Sequence, residues 1–145
     1  MKKLVSAISL CLALSLCHAS AWSATDLVII VNPASGVERI SRDEVTAIFM
    51  GRTKKLPSGI TALPIDQVAS NRDKARFYAE LINKELSEIN SYWARLIFSG
   101  QASPPRQADT VAEVIEIVSS NKGAIGYVPR SAATKQVRVA LDLSQ

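Results

Sequence analysis

Five consecutive apolar residues, Leu27–Val31 (LVIIV), constrain the fold of this chain more than any other segment. The run is rich in β-branched side chains and stops at Asn32 and Pro33, which is typical of a short strand. A strand that is apolar at every position is buried on both faces, as happens when helices cover both sides of a parallel or mixed sheet. The segment therefore predicts a sheet with helices on both faces.

The remainder of the chain alternates helical and strand patterns. Ser41 and Glu44 form a capping box that begins a short helix, and Gly51 supplies the left-handed residue that ends it. Three more helices are predicted to begin at Ser70, at Ser87 and at Asp109 or Thr110, and three more strands at Ile60–Ile65, Ala124–Val128 and Val137–Leu141. We therefore predict one α/β domain over residues 22–145, a three-layer mixed sheet flanked by helices.

Residues 1–21 have the layout of a secretory signal peptide. Lys2 and Lys3 precede the apolar stretch Leu4–Leu16, and Ala19-Ser20-Ala21 places small residues where a signal peptidase cleaves. The stretch is shorter than the roughly 20 apolar residues that a membrane span needs, and no second apolar run follows. We expect cleavage after Ala21 and a periplasmic protein that does not span the membrane.

Removal of this segment would take away Cys11, Cys17 and His18, which are both cysteines and the single histidine of the chain. A mature chain without them has no disulfide, cysteine nucleophile, histidine base, His/Cys zinc site or c-type haem, and we expect no cofactor. It would keep 15 of the 17 basic side chains and all 13 acidic ones, without a basic cluster. This balance argues against nucleic acid as a partner.

The junction from Ile65 to Arg76 (IDQVASNRDKAR) is the most suggestive binding site. A strand is predicted to end there and a helix to begin at Ser70, and the N-terminus of a helix attracts anions through its unpaired amides and its dipole. Ser70 adds a hydroxyl, Asn71 an amide and Arg72 a guanidinium that suits a carboxylate or phosphate. The alternative is that Ser70 only caps the helix and Arg72 lies on a solvated face.

Other candidates for chemistry are weaker. Tyr92 and Trp93 lie on a predicted apolar helix face, which favours core packing over stacking on a ligand. No serine is expected beside a buried lysine, because no lysine lies in an apolar stretch of the sequence, and no pair of carboxylates has a spacing that suggests acid–base work. We therefore do not expect an enzyme.

Several motifs resemble the phosphate-type substrate-binding proteins of ABC transporters. The segment Ser41–Gly51 (SRDEVTAIFMG) is similar to a helix of that family. Further matching motifs follow in the family's order, namely Tyr92-Trp93, Phe98-Ser99-Gly100, Pro104 and Gly123–Val128 (GAIGYV). The resemblance covers roughly Val28 to Val128 and implies a periplasmic-binding-protein-like fold of the second type.

The chain departs from the family in two ways. A full member has two lobes and about twice this length, so the resemblance implies a single lobe. The family's phosphate motif has an arginine followed by Ser-Gly-Thr at the start of a helix. Ser70 matches that serine, but Asp66 stands in the place of the arginine, and Asn71-Arg72 replaces Gly-Thr. An aspartate facing a phosphate would weaken binding through like-charge repulsion.

Two functions from different classes follow from these patterns. The first is a periplasmic solute-binding protein that binds a small oxyanion, with phosphate as the first candidate, at Ser70, Asn71 and Arg72. The second is a single-lobe interaction or sensory module that docks on another protein of the cell envelope. The motif match favours the first function, and the single-lobe length motivates the second.

Overall fold

The computed structural model describes residues 26–145, so the segment assigned to the signal peptide lies outside the described residues. The strands are Leu27–Val31 (β1), Leu63–Gln67 (β2), Arg106–Ala108 (β3), Ala124–Pro129 (β4) and Arg138–Asp142 (β5). The α-helices are Arg42–Phe49 (α1), Arg72–Ile82 (α2), Leu86–Phe98 (α3) and Val111–Ser120 (α4). Two single 3-10 turns, Pro33–Ser35 and Arg130–Ala132, follow β1 and β4.

The five described strands form one mixed sheet in the order β3-β2-β4-β1-β5. Strands β3, β2 and β4 are parallel to one another, whereas β1 runs antiparallel to both of its neighbours, β4 and β5. The carboxyl ends of β2, β3 and β4 therefore lie at one edge of the sheet. This edge is where ligands bind in open α/β sheets.

The apolar run that opens the described chain is the central element of the packing. All five residues of β1 are fully buried, and their side chains alternate between two hydrophobic clusters. Leu27 and Ile29 join the cluster formed with α1, α2 and α3, and Val28 and Ile30 join the cluster formed with α4. The predicted three-layer α/β architecture is confirmed.

The start of α1 also agrees with the sequence. The Glu44 amide donates to Ser41 Oγ at 3.2 Å, and the Ser41 amide donates to Glu44 Oε2 at 2.8 Å, so the capping box is present. Gly51 follows the helix with a φ of +70°, in the left-handed region. Thr110 caps α4, because its side chain accepts the Glu113 amide.

Two other boundaries differ from the predictions. Strand β2 begins at Leu63 rather than Ile60, because the preceding residues close a turn in which the Leu56 amide donates to the Ile60 carbonyl at 2.8 Å. The N-cap of helix α3 is Glu85, two residues before the predicted Ser87, which lies inside the helix. The Glu85 amide donates to Glu88 Oε2 at 3.0 Å, which fixes this start.

None of the helices within residues 26–145 combines the length and the apolar character that a bilayer span requires.

Candidate functional site

The predicted binding residues lie together where β2 ends and α2 begins. Gln67 is the last residue of β2, and Arg72 is the first residue of α2. Ser70 and Arg72 are exposed to solvent, and Asn71 between them is half-buried. The structure thus places all three residues at the carboxyl edge of the parallel strands, as the sequence predicts.

The N-cap of α2 is Asn71, so the prediction that Ser70 caps this helix is wrong. Asn71 has an extended backbone, and its Oδ1 accepts the Asp73 amide at 3.0 Å. The reason is the turn that precedes the helix, in which the Asn71 amide donates to the Val68 carbonyl at 3.0 Å. This turn leaves Ser70 exposed at the surface and puts Asn71 at the position from which a side chain reaches the first helical amides.

The cap uses most of what Asn71 has to offer a ligand. Its amide is donated to Val68, its carbonyl accepts the Lys74 amide at 3.2 Å, and its Nδ2 donates to Gln67 Oε1. The residues on either side of it, Ser70 and Arg72, are exposed to solvent. Asn71 therefore holds the junction in shape rather than presenting donors to solvent.

Asp66 does not face the junction, contrary to the expectation that it would stand in front of a bound phosphate. It is only 4% exposed and points to the sheet face covered by α2. Its Oδ2 accepts the Tyr78 hydroxyl at 2.8 Å, and its Oδ1 accepts the Tyr127 hydroxyl at 2.5 Å and the Gln67 amide at 2.7 Å. The negative charge is therefore withdrawn from the edge where an oxyanion would bind.

A buried lysine completes this network. Lys74 is 5% exposed, and its Nζ lies 3.3 Å from Asp66 Oδ2. The expectation that no lysine is buried is thus wrong. The signal that could have revealed Lys74 is its spacing, because it precedes Phe77, Tyr78 and Leu81 at the i, i+3, i+4, i+7 positions of one buried helix face.

The network raises the pKa of both tyrosine hydroxyls that donate to Asp66. Burial of Tyr78 and Tyr127 disfavours the charged phenolate, and the neighbouring carboxylate adds repulsion in the same direction. Both side chains therefore stay protonated and serve as permanent donors.

Besides Arg72, a second arginine lies at the carboxyl ends of the parallel strands. Arg130 follows β4, the strand next to β2, and its guanidinium pairs with the carboxylate of Asp142 at the end of β5. Within residues 26–145, no group of three His, Cys, Asp or Glu side chains stands close enough to hold a metal ion.

Two of the surface cavities beside α3 share the side chain of Trp93. The larger, of about 750 Å³, is lined by Trp93, Ile97 and Pro104 and also by Lys54 and Arg106. The smaller, of about 270 Å³, shares those three apolar residues and extends to Asp66 and Lys74. Trp93 is 7% exposed, so its predicted packing in the core is confirmed, yet it forms a wall of both cavities.

No protein-family model matches the sequence, and no curated protein matches it either. Solved structures do match the fold. An ABC-type phosphate transport receptor from Vibrio cholerae aligns with a TM-score of 0.62 at 15% identity, over 79% of this chain and 44% of the receptor. A putative phosphate ABC transporter substrate-binding protein with bound phosphate from Clostridium perfringens gives a TM-score of 0.61 at 13% identity, over 79% and 44%.

PstS from Borrelia burgdorferi aligns with a TM-score of 0.58 at 16% identity, over 79% of this chain and 46% of PstS. The chain thus spans less than half the length of each of these proteins. This agrees with the single lobe that the sequence motifs imply, and identities of 13–16% speak for the fold alone. The chain has the fold of one lobe of the phosphate-type substrate-binding proteins of ABC transporters.

Proposed function

We propose that this protein is a solute-binding module of the cell envelope that receives a small oxyanion, with inorganic phosphate as the first candidate, at the junction between β2 and α2. The observation that carries the proposal is the exposure of Ser70 and Arg72 at the N-terminus of α2, on the carboxyl edge of three parallel strands. In this role the Ser70 hydroxyl donates one hydrogen bond, and the Arg72 guanidinium donates others.

The electrostatics of the junction support an anion. The N-terminus of a helix carries about half a unit of positive charge, and Arg72 adds a full charge beside it. Two acidic residues of the segment, Asp66 and Asp73, would oppose an anion. Asp66 is turned inward and paired with Lys74, and Asp73 in the first turn of α2 lies 3.7 Å from the Arg76 guanidinium. The repulsion between Asp66 and a bound phosphate, which the sequence suggests, is reduced accordingly.

A single lobe offers only one wall of a binding cleft. We expect export with cleavage after Ala21, and in the periplasm a second wall supplied by another copy or by a transporter or sensor of the envelope. Binding to the lone chain should then be weak, because one hydroxyl and one guanidinium replace the full donor set of a closed cleft.

Calorimetry with phosphate, sulfate and small carboxylates tests the proposal on the purified protein. Ser70→Ala and Arg72→Ala should each weaken phosphate binding about tenfold, since a hydrogen bond to a charged group contributes about 1.5–3 kcal/mol. Lys122→Ala is the matched control, because it removes one exposed positive charge just before β4, at the opposite edge of the sheet. Absence of heat with every oxyanion at millimolar concentration, or equal losses for Arg72→Ala and Lys122→Ala, would contradict it.

A specific observation also supports the interaction module as a second candidate function. Phe98, at the end of α3, is 94% exposed, and Ile97 before it is 54% exposed. Exposure of so much apolar surface to water is unfavourable, and its burial in an interface would be favourable. If α3 docks on an envelope protein, Phe98→Ser should abolish a cross-link to that protein without changing the thermal stability of the module.

A further inference from the structure

The larger of the two cavities that share Trp93, of about 750 Å³, is a surface groove at the amino ends of β2 and β3. Its lining includes Leu63 and Arg106, the first residues of these two strands, and Trp93 and Ile97 of α3. We call it the α3 groove. Because β2 and β3 are parallel, their amino ends lie at the edge of the sheet opposite the β2–α2 junction. A ligand in the α3 groove therefore does not occupy the junction.

The apolar surface of the groove continues onto the end of α3. Ile48, Ile97 and Pro104 contribute apolar side chains to the lining. Ile97 is 54% exposed, and Phe98, the next residue, is 94% exposed. A small molecule held in the groove would leave the Phe98 ring in water, whereas a polypeptide segment can cover both the groove and the ring. The extent of this surface favours a protein partner.

The lining of the groove is positively charged. It contains Lys54 and Arg106, both exposed, and no aspartate or glutamate. Among residues 26–145, neither cation forms an ion pair with an acidic side chain, although Arg106 also borders a smaller hollow beside Glu113 and Glu116. A second copy that presented the same surface across a twofold axis would be repelled, whereas an acidic partner would be attracted.

The charge of the surroundings has the same sign. Two chain segments, 48–64 and 93–106, supply the whole lining, and neither contains an acidic residue. Their basic residues are all exposed, namely Arg52, Lys54, Lys55, Arg95 and Arg106. A concentration of one sign of charge around an apolar groove steers a partner of the opposite sign towards it.

One wall of the groove offers backbone groups for pairing. The segment 102–105 (ASPP) lies between α3 and β3 and is neither helix nor strand. A proline favours an extended conformation of the residue before it, which applies here to Ser103 and Pro104. The backbone amides and carbonyls of Ala102 and Ser103 form no hydrogen bond with other described residues. They are therefore available to an extended segment that lies along this wall.

We propose that the α3 groove binds an extended, acidic segment of a partner protein. Carboxylates of the segment pair with Lys54 and Arg106, and its backbone forms hydrogen bonds with Ser103. An apolar side chain of the segment covers Ile97 and Phe98. This inference names the chemistry of the partner of the interaction module and rests on that second candidate function. It does not depend on oxyanion binding, so calorimetry with phosphate and the experiment below can fail separately.

Selection from a phage-displayed library of short random peptides tests the proposal on the purified protein. We expect the enriched peptides to combine aspartate or glutamate with aromatic or aliphatic residues. Each enriched peptide is then synthesised as selected and again with asparagine or glutamine in place of its acidic residues. The amide version should bind about tenfold more weakly. The affinity of the acidic version should fall as the ionic strength rises.

Lys54→Glu and Phe98→Ser test whether the peptides bind at the groove. Both side chains are exposed, so the fold should be retained. Each variant should weaken binding of the acidic peptides about tenfold. Arg39→Glu should leave the affinity unchanged, because it makes the same change of charge at an exposed position beside β5, on the far side of the sheet from β3. Its location follows from the next residue, Ile40, whose amide donates to the Ala140 carbonyl of β5 at 3.2 Å.

Val139→Ser is the control for Phe98→Ser, since Val139 is an exposed apolar residue of β5. The proposal is overturned if no peptide is enriched, if the enriched peptides lack acidic residues, or if their amide versions bind equally well. Equal affinities of Lys54→Glu and Arg39→Glu would also overturn it. So would binding to phosphatidylglycerol vesicles that Lys54→Glu and Phe98→Ser abolish, in the absence of peptide binding, since this result would assign the surface to a membrane.

Discussion

The Nζ of Lys74 lies 3.3 Å from Oδ2 of Asp66, and both residues are almost completely buried. The pair joins the end of β2 to the first turn of α2 beneath the candidate binding junction. Because the hydroxyls of Tyr78 and Tyr127 donate to the same carboxylate, the pair is part of a network that ties α2 to β2 and β4. The exposed residues of the junction are therefore held from inside the protein.

Removal of the lysine from this pair should destabilise the fold strongly. Lys74→Met leaves Asp66 buried without its cation, and loss of one partner of a buried pair costs about 3–5 kcal/mol. Arg76→Met is the control on the same helix, because Arg76 pairs with Asp73 and Glu80 near the surface and should cost less than about 1 kcal/mol. Urea unfolding of both variants measures the two costs.

The double variant Asp66→Asn, Lys74→Met distinguishes the cost of an unpaired buried charge from the cost of altered side-chain packing. It should be more stable than Lys74→Met alone, because no uncompensated charge then remains in the core. A cost below about 1 kcal/mol for Lys74→Met would instead mean that water reaches Asp66 and that the network is not closed.

The buried tyrosines predict a loss of stability at alkaline pH. The pKa of the Tyr78 and Tyr127 hydroxyls is raised above the ordinary value of 10.0 by burial and by Asp66. Their contribution is fully present below pH 10.0, where both states are protonated; above it, the unfolded chain releases protons that the folded chain keeps. The free energy of unfolding should then fall by about 1.4 kcal/mol per pH unit for each tyrosine.

Urea unfolding at a series of alkaline pH values measures this slope. Tyr127→Phe should reduce the slope by the share of one tyrosine, about 1.4 kcal/mol per pH unit. The comparison cancels the titration of lysines, which both proteins share. An unchanged slope in Tyr127→Phe would show that the hydroxyl of Tyr127 ionises in the folded protein.

Gly51 and Gly100 form a matched pair for the packing of Trp93. Both have left-handed backbones, with φ of +70° and +69°, but a Cβ on Gly51 would lie 2.9 Å from Trp93 Cη2, whereas a Cβ on Gly100 would meet nothing within 4 Å. Gly100→Ala should cost about 1–2 kcal/mol for the backbone alone. Gly51→Ala should cost about 1–3 kcal/mol more, because it also displaces the indole ring.

Thermal or urea unfolding of the two alanine variants gives this difference directly. Equal costs would mean that the indole ring of Trp93 moves aside freely, and the surface cavities that Trp93 lines would then be less rigid than the structure implies.

Much of the fold follows from local sequence signals. The strand Leu27–Val31 and the capping box of Ser41 and Glu44 appear where the sequence places them, because an unbroken apolar run and a cap with its partner three residues later both act within a few residues. The start of β2 at Leu63 does not follow from the sequence, because the turn before it is closed by backbone hydrogen bonds that residue types do not reveal.

The candidate site was harder to predict for the same physical reason. The sequence predicts the position of Ser70, Asn71 and Arg72 at a strand–helix junction, but the inward orientation of Asp66 depends on Tyr127, which lies 61 residues further along the chain. Lys74 is buried only because that carboxylate is already inside. Such details depend on contacts between distant segments, and a single sequence does not show which distant residues are in contact.

The cap of α2 supplies a last comparison between neighbouring residues. Serine and asparagine are equally good N-cap residues, and the turn closed by the Asn71 amide and the Val68 carbonyl selects Asn71. Asn71→Ala should therefore lower the free energy of unfolding by about 1 kcal/mol, and Ser70→Ala by less than about 0.5 kcal/mol. Urea unfolding followed by far-ultraviolet circular dichroism measures both changes. A larger cost for Ser70→Ala would place the start of the helix at Ser70 in solution and would return the amide of Asn71 to the set of donors available to an oxyanion.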